Sequence, residues 1–399
     1  MDSKKCFTPA DFLLPKKDFE KWAVIACDQY TSEQEYWVNA SKIVGDAPSA
    51  LNCILPEVYL KEDNSSAVKK INEKMTEYLD GDVFDKILNS FIYIERKQSD
   101  GRIRYGIVGK IDLEDYDFTV GTSAAIRATE QTVLSRIPPR VEIRKNAPLE
   151  MPHVMLLIDD PDDSVLGGLK TKSQDFEKLY DFTLMQNGGE IKGYKVDQNS
   201  ALNITQNLSK LQNRHNGLLF CVGDGNHSLA TAKKCYELNP NELNRYAAVE
   251  VVNIHDSALD FEPIYRVVFG TNPEKLINDF IDYCGGESSD ADAKEYTCVY
   301  GETERIIRVE TKEELPVASL QLFLDEYLKE NDGEIDYIHG IDSTKKLCKA
   351  ENAVGFIFEG MGKSQLFSAV EKDGSLPRKT FSMGHADDKR FYIEARKIK

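Results

Sequence analysis

The sequence is short of positive charge. Its 399 residues carry 50 lysines and arginines against 67 aspartates and glutamates, which gives a formal net charge of −17 at pH 7. A field of that sign repels phosphate backbones and anionic lipid surfaces, so nucleic acids and membranes are poor candidates as partners. A small anionic metabolite or a nucleotide is compatible with this net charge, provided that basic side chains surround it locally.

Paired cysteine motifs are absent as well. The eight cysteines form no C-x-x-C pair, and several of them lie in apolar stretches, as Cys221 does in LLFCV. This pattern argues against zinc sites and disulfide frameworks, and it favours buried thiols in a reducing compartment.

Long hydrophobic runs are also missing. No stretch reaches the 18 apolar residues typical of a membrane-spanning helix, and the first 22 residues contain no apolar core of a signal peptide. We therefore expect a cytoplasmic protein without a transmembrane helix. The Walker A spacing G-x-x-x-x-G-K-[ST] does not occur, which removes one common kind of phosphate-binding loop.

Sufficient apolar residues are present for a folded protein of more than one domain. Hydrophobic residues make up 41% of the chain and aromatic residues 10%, and a chain of this length predicts two or three domains. Strands and helices alternate irregularly, with several hairpins. We therefore predict an α+β fold with a mixed-sheet body, β-hairpins and peripheral helices.

The composition along the chain divides it into three predicted regions. These are an N-terminal α+β region (1–125), a central region (126–285) and a C-terminal α+β region (286–399) whose tail folds back on the body. The second boundary falls at GGESSDADAKEY, the most linker-like stretch of the chain.

Individual elements follow from residue periodicity. Residues 65–80 place Val68, Ile71 and Met75 on one helical face, which predicts a helix. FIYIERK and RIRYGIVGKIDL flank QSDG and predict a β-hairpin. We interpret DFEKLYDFTL as a helix. Ser32 with Glu35 has the spacing of a capping box at a helix start.

The stretch GDGNHS (223–228) is the most informative part of the chain. It follows the apolar run LLFCV, typical of a strand buried on both faces, and it precedes a helical pattern that ends at Asn239-Pro240. Gly223 and Gly225 permit positive φ and close backbone approach. The start of a helix offers unpaired N–H groups and a partial positive charge, so we predict an anion site here.

The side chains of this stretch supply chemistry. Asp224 is a base or a metal ligand, His227 is a donor or a base, and Asn226 and Ser228 add polar contacts. The alternative interpretation is structural: Asp224 or Asn226 caps the helix, the glycines make the turn, and His227 is a surface side chain.

A second stretch, residues 126–150, reverses the sign of the charge locally. Arg127 and Glu130 share a helix face if the segment is helical, and Arg140 and Arg144 lie one turn apart on the next element. The planar guanidinium group suits phosphate or carboxylate. The alternative is a solvated face whose arginines pair with the nearby acids Glu130, Glu142 and Glu150.

Three further features are weaker candidates. The tail stretch PRKTFSMGH has no regular period and predicts a structured loop near the cleft, with Lys379 as a ligand contact. His153 is interpreted as a core histidine at a strand end. Cys27 has no partner identifiable by spacing, so we interpret it as a structural thiol.

Several of these motifs together resemble one known family. WAVIACDQYTSEQEYW, IRATEQT, PHVMLLIDDP, VGDGNHSLATAK and LPRKTFSMGHADDKRFYIEARKI look like the domain-of-unknown-function 1015 family. The resemblance spans nearly the whole chain and implies a cytosolic protein of bacterial or archaeal type. It implies no particular activity.

More distantly, DGNHSLATA is similar to the helix start of ParB-like and sulfiredoxin-like proteins, a group with nucleotide hydrolases and free-serine kinases. That resemblance implies nucleotide phosphates bound at the helix start. The sequence departs from the pattern at Ser228, where an arginine usually follows the histidine. Another arginine, Arg127 or Arg144, would have to substitute. The resemblance also implies relatives that are often encoded beside serine-biosynthesis genes. This is an association between genes and gives no mechanism.

Taken together, the resemblance and the residues predict a small-molecule phosphotransferase, for example a serine kinase, with a nucleotide donor. Gly225–Ser228 would hold phosphate oxygens and the arginines between 127 and 144 would neutralise charge. Asp224 or Glu130 would accept a proton or hold Mg²⁺ that accompanies ATP or ADP. His227 would donate to a phosphate oxygen.

Two other functions fit the same sequence: a non-catalytic nucleotide- or metabolite-binding regulator, and a metal-dependent phosphohydrolase. The phosphotransferase hypothesis predicts that Asp224, Asn226 and His227 lie in one cleft with Arg127, Glu130 and Arg144.

Overall fold

A computed structural model describes residues 6–399, which form two compact units. Unit 1 comprises the described residues up to Leu259 together with Gly384–Lys399, and unit 2 comprises Asp260–Met383. The predicted boundaries at 125/126 and 285/286 stay predictions.

The strands, in chain order, are β1 (Phe7–Thr8), β2 (Ala10–Pro15), β3 (Val24–Ile25), β4 (Phe84–Ser90), β5 (Ile92–Lys97), β6 (Ile103–Asp112), β7 (Tyr116–Asp117), β8 (Ile126–Ala128), β9 (Leu149–Glu150), β10 (Met155–Ile158), β11 (Glu177–Thr183), β12 (Glu190–Lys195), β13 (Phe220–Asp224), β14 (Tyr246–Asn253), β15 (Phe261–Phe269), β16 (Lys294–Tyr300), β17 (Thr303–Val309), β18 (Glu334–His339), β19 (Ala353–Phe358), β20 (Phe381–Met383), β21 (Phe391–Tyr392) and β22 (Arg396–Lys397).

The helices are α1 (Phe19–Trp22), α2 (Gln34–Val44), α3 (Ser65–Asp80), α4 (Ile137–Arg144), α5 (Gly167–Lys172), α6 (Gln198–Leu211), α7 (Asn226–Leu238), α8 (Pro273–Tyr283), α9 (Pro316–Glu330), α10 (Ile341–Leu347) and α11 (Gln365–Asp373). Within the described part of the chain, no helix is both long and apolar enough to cross a membrane.

Unit 1 is built on a large mixed sheet with the strand order β11-β12-β5-β6-β14-β10-β13-β8-β7, and β1 pairs with β6. Successive residues of a strand point to opposite faces. Ile92 and Ile94 accordingly belong to one hydrophobic core, and Tyr93 belongs to the other. Because the sheet is covered on both faces, stretches such as LLFCV at β13 and MLLI in β10 are apolar throughout.

The centre of this sheet positions the candidate site. Strand β10 runs parallel to β14 and antiparallel to β13, with Met155 opposite Asp224. The residues just before β10 therefore lie beside the end of β13, although about 70 residues separate them in the sequence.

The C-terminal residues are an integral part of unit 1. Strand β21 pairs with β3 and β22 pairs with β9. Glu394, Arg390 and Arg396 are buried there. Lys389, which lies C-terminal to the predicted stretch PRKTFSMGH, contacts Asp224 at the end of β13. Tyr392 contacts His153, just before β10.

Unit 2 contains a sheet with the order β17-β16-β19-β15-β18, and β20 pairs with β15. The fully buried guanidinium of Arg266 donates to the carbonyl groups of Arg378 and Lys379 at 2.9 and 2.8 Å. These contacts order the PRK turn within unit 2. The predicted ligand contact of Lys379 stays a prediction.

The α+β fold is confirmed, as are the helix over 65–80 and the hairpin of β5 and β6. Two element predictions are wrong. DFEKLYDFTL contains strand β11, because it pairs along its length with β12 and buries Tyr180. Helix α2 begins after Glu33 without a side-chain cap, so the capping box at Ser32 does not form.

Candidate functional site

The site is built on the junction between β13 and α7. Gly225 stands before the first residue of α7 with φ 84°, a backbone conformation that glycine adopts without strain. A Cβ atom at this position would lie 3.1 Å from the Cα atom of Val154. The predicted positive φ and close backbone approach are therefore found at Gly225, whereas Gly223 has no positive φ.

No side chain caps the first turn of α7, whereas the structural interpretation requires Asp224 or Asn226 to cap it. Gly225 occupies the N-cap position and has no side chain. Asp224 accepts instead from the backbone N–H of Gly225 at 3.0 Å and lies 3.4 Å from the Lys389 ammonium group. Among the described residues, Oδ1 of Asn226 is buried without a hydrogen-bond partner. The N-terminus of α7 thus keeps the N–H groups that an anion would use.

His227 is held neutral. Its Nε2 atom accepts a hydrogen bond from the backbone N–H of Val133 at 3.2 Å, so the ring proton is assigned to Nδ1. Burial lowers the pKa of His227 to about 4, and the positive charges of Arg140 and Arg136 act in the same direction. The helix dipole also disfavours a charged imidazole at this position.

The segment that carries Arg127 and Glu130 is not helical, which corrects the sequence prediction. Residues 126–128 form β8, because they pair in parallel with β13 and with β7. Arg127 is buried and its Nε atom donates to the Ala124 carbonyl at 2.9 Å. Glu130 lies in the loop that follows β8 and that contacts His227 through Val133. Its role as a base or metal ligand stays a prediction.

Arg140 and Arg144 lie one turn apart on α4, as predicted. Pro138 and Pro139 lie in the first turn of this helix, where proline is tolerated. Arg140 pairs with Glu57, and Arg144 pairs with the buried Glu150. Arg144 is therefore paired with Glu150, one of the acids that the alternative interpretation names. Glu57, the partner of Arg140, was not predicted from the sequence.

A cavity of about 160 Å³ connects these elements. Apolar side chains from three parts of unit 1, among them Leu55, Met75 and Ile143, line its interior. The polar groups on its wall are Cys27, Asp28, Glu57, Arg140, Arg144, Glu150, His153, Ser228, Thr231 and Tyr392. The structure therefore brings Ser228, Arg140 and Arg144 to one cavity.

Four polar residues of this site were not predicted as functional: Asp28, His153, Lys389 and Tyr392. The Nε2 atom of His153 lies 3.0 Å from Ser228 Oγ and 3.9 Å from Asp28 Oδ2, and its Nδ1 atom lies 3.0 Å from Tyr392 Oη. Asp28 follows the buried strand of WAVIACD as Asp224 follows LLFCV, so an acid after a buried strand is a signal that could have found it.

Asp28 stays ionised and Cys27 stays protonated. Burial alone would raise the pKa of Asp28, but the side-chain hydrogen bond from Gln29 and the positive charge of Lys389, joined by His153 whenever its ring is protonated, lower it overall. Burial raises the pKa of the Cys27 thiol to about 12. A protonated thiol at neutral pH is a poor nucleophile, which agrees with a structural role for Cys27.

No group of three histidine, cysteine, aspartate or glutamate side chains in residues 6–399 is placed to hold a metal ion. The predicted Mg²⁺ at Asp224 or Glu130 stays a prediction.

Comparison with solved structures shows low similarity to several chains. A free serine kinase in complex with AMP is 12% identical, with a TM-score of 0.39 over 71% of this chain and 92% of that chain. A conserved hypothetical protein from Pyrococcus furiosus is 13% identical, with a TM-score of 0.38 over 73% and 94%. SbnI with a C-terminal truncation, from Staphylococcus aureus, is 11% identical, with a TM-score of 0.37 over 69% and 82%.

Comparison by sequence gives the family. No curated protein matches the chain. The family model described as "Protein of unknown function (DUF1015)" matches residues 8–327, which is most of the chain and includes every element of the site except the C-terminal residues. The chain therefore belongs to the DUF1015 family.

Proposed function

We propose that this protein transfers a phosphoryl group from a nucleotide to a hydroxyl group of a small molecule, with serine as the first acceptor to test. The observation that supports this proposal most is the start of α7. Gly225 leaves the first turn without a side-chain cap, and the cavity beside it carries Arg140 and the ionised Asp28. Phosphoryl transfer needs positioning and neutralisation of charge more than covalent chemistry.

This proposal assigns separate roles to the phosphate-binding groups, the base and a balancing cation. The N–H groups of Asn226, His227 and Ser228 would hold phosphate oxygens, and Arg140 would leave Glu57 to join them. Asp28 or Asp224 would accept the proton of the acceptor hydroxyl. Lys389, which lies beside both carboxylates, would balance their charge.

A magnesium ion fits this set of donors when it arrives with the nucleotide. Magnesium is commonly held by one or two carboxylates together with substrate phosphates. Asp224, at the end of β13 beside Lys389, would supply such a carboxylate, and Asp28 would remain the base. The ion would neutralise phosphate charge.

The proposal is tested by a thermal-shift screen of ATP, ADP, CTP, serine and phosphoserine with and without Mg²⁺, followed by a product assay. A bound nucleotide is expected to stabilise the protein by a few kcal/mol at saturation. Arg140→Met is expected to weaken nucleotide binding ten- to a hundredfold, or about 1.5–3 kcal/mol. Arg102→Met, at an exposed ion pair with Asp100, serves as the control. Binding without any phosphorylated product would favour the non-catalytic regulator instead.

His227 gives the proposal a pH dependence. A bound phosphate is expected to raise the pKa of His227 from its low value in the free protein, so that binding takes up a proton. Affinity should therefore increase as the pH falls through the raised pKa of the complex, and the increase should level off below about 4, the pKa in the free protein. His227→Gln keeps a hydrogen-bonding group but cannot titrate, so its affinity should depend less on pH.

Calorimetric titration of wild type and His227→Gln at pH 5, 6 and 7 measures this difference. Since the phosphate itself titrates in both proteins, its contribution cancels in the comparison. Identical pH profiles would show that His227 takes up no proton when the ligand binds.

A further inference from the structure

The hydroxyl group of Ser228 is directed at a buried histidine. Thr231, one turn further along α7, donates to the carbonyl of His227 at 2.7 Å, as helical hydroxyl groups often do. Ser228 instead lies 3.0 Å from Nε2 of His153, a residue that is only 7% exposed. Both residues line the cavity that also holds Arg140 and Asp28.

The surroundings of His153 make its Nε2 atom an acceptor. Tyr392 Oη accepts from the backbone N–H of Cys27 at 3.1 Å. Because a phenolic oxygen carries two lone pairs, we assign the second to Nδ1–H of His153 at 3.0 Å. With the proton on Nδ1, the Nε2 lone pair is available to the proton of Ser228.

Two further features of the site favour a reaction at Ser228. If His153 takes up a proton, the Asp28 carboxylate at 3.9 Å stabilises the imidazolium that forms. A phosphate on Ser228, in the first turn of α7, would be stabilised by the helix N-terminus and by Arg140 on the same cavity wall.

We propose that Ser228 is the first phosphoryl acceptor, so that transfer passes through a phosphoserine at this position; this rests on the proposed function. In the first step the Ser228 Oγ–P bond forms, the bond from phosphorus to the leaving nucleoside diphosphate breaks with its electron pair, and the Oγ proton moves to His153 Nε2.

The second step returns the enzyme to its starting state. The acceptor hydroxyl attacks the phosphoserine, the P–Oγ bond breaks, and His153 returns its proton to Oγ. The proton of the acceptor hydroxyl passes to Asp28 and then to solvent. The overall reaction releases one proton, as transfer from a nucleoside triphosphate to an alcohol requires.

The test uses the full-length protein with ATP labelled in the γ-phosphate, in the absence of any acceptor. We expect a mass gain of about 80 Da on the chain, located at Ser228 by peptide mapping. In a parallel reaction of ATP with ADP labelled in its adenosine part, we expect that label to pass into ATP, as in ping-pong kinetics. Ser228→Ala should lower both signals at least about tenfold, while Ser228→Thr, which keeps a hydroxyl group, should restore part of them.

Two controls make the outcome decisive. Ser209→Ala, on α6, should label like wild type. Unchanged ATP affinity in Ser228→Ala would show that the variant is folded and still binds nucleotide. Product formation by Ser228→Ala at the wild-type rate, or product formation by the wild type without any labelled Ser228, would overturn the phosphoserine step and leave the proposed function standing. If no nucleotide yields any product or label, both proposals are wrong.

Discussion

Replacement of Glu250 by glutamine is expected to destabilise unit 1 by about 3–5 kcal/mol. Glu250 is fully buried on β14, where its carboxylate lies 3.2 Å from Nη2 of Arg104 and 2.9 Å from Nε of Arg390. Burial alone would raise the pKa of Glu250, but these two arginines lower it, so the group is ionised.

The cost arises because the substitution leaves buried positive charge without compensation. Arg96 is also buried in this cluster, and burial together with the charge of Arg104 lowers the pKa of Arg96 to about 9. With glutamine at position 250, the buried guanidinium groups of Arg96, Arg104 and Arg390 would lose one neighbouring negative charge. Gly106 leaves the space in which the Glu250 side chain sits, since a Cβ there would lie 2.4 Å from its Oε1 atom.

Urea unfolding followed by tryptophan fluorescence measures this prediction. The two tryptophans of the chain, Trp22 and Trp37, are both buried in unit 1, so the signal reports on that unit. Glu190→Gln, at an exposed ion pair with Lys97, is the matched control and should cost less than about 0.5 kcal/mol. A Glu250→Gln protein as stable as this control would show that the buried charges do not depend on Glu250.

Local patterns predicted much of the fold. The helix over 65–80 and the hairpin of β5 and β6 depend on periodicity and turn residues, which are local properties. The arginines and glutamates that become buried beside Glu250 could not be predicted, because a charged residue is normally exposed. Their pairing depends on strands that are far apart in the sequence.

The candidate site also combines features that follow from neighbouring residues with contacts that do not. The turn at Gly225 and the uncapped start of α7 were predictable, because both follow from residues next to each other in the sequence. The contact of His153 with Ser228 spans 75 residues, and that of Tyr392 with His153 spans 239. Only the order of β10, β13 and the C-terminal strands brings them together.

Substitution of Asp28 by asparagine is expected to lower the turnover of phosphoryl transfer by about 10²–10⁴-fold. The carboxylate of Asp28 lies 3.9 Å from His153 and is influenced by the charge of Lys389, and it is 29% exposed on its side chain, so it can both exchange protons with solvent and act on the buried histidine. Asparagine preserves the shape and the hydrogen-bonding capacity but accepts no proton.

Nucleotide affinity should change less than turnover, because the helix start and Arg140 still hold the phosphates. We expect a change within about threefold in the dissociation constant, so the loss appears in kcat rather than in binding. Asp46→Asn, an exposed acid after α2, is the control and should retain wild-type kinetics. If Asp28→Asn turns over like wild type, a different group takes the proton, and Asp224 and Glu130 are then the carboxylates to substitute next.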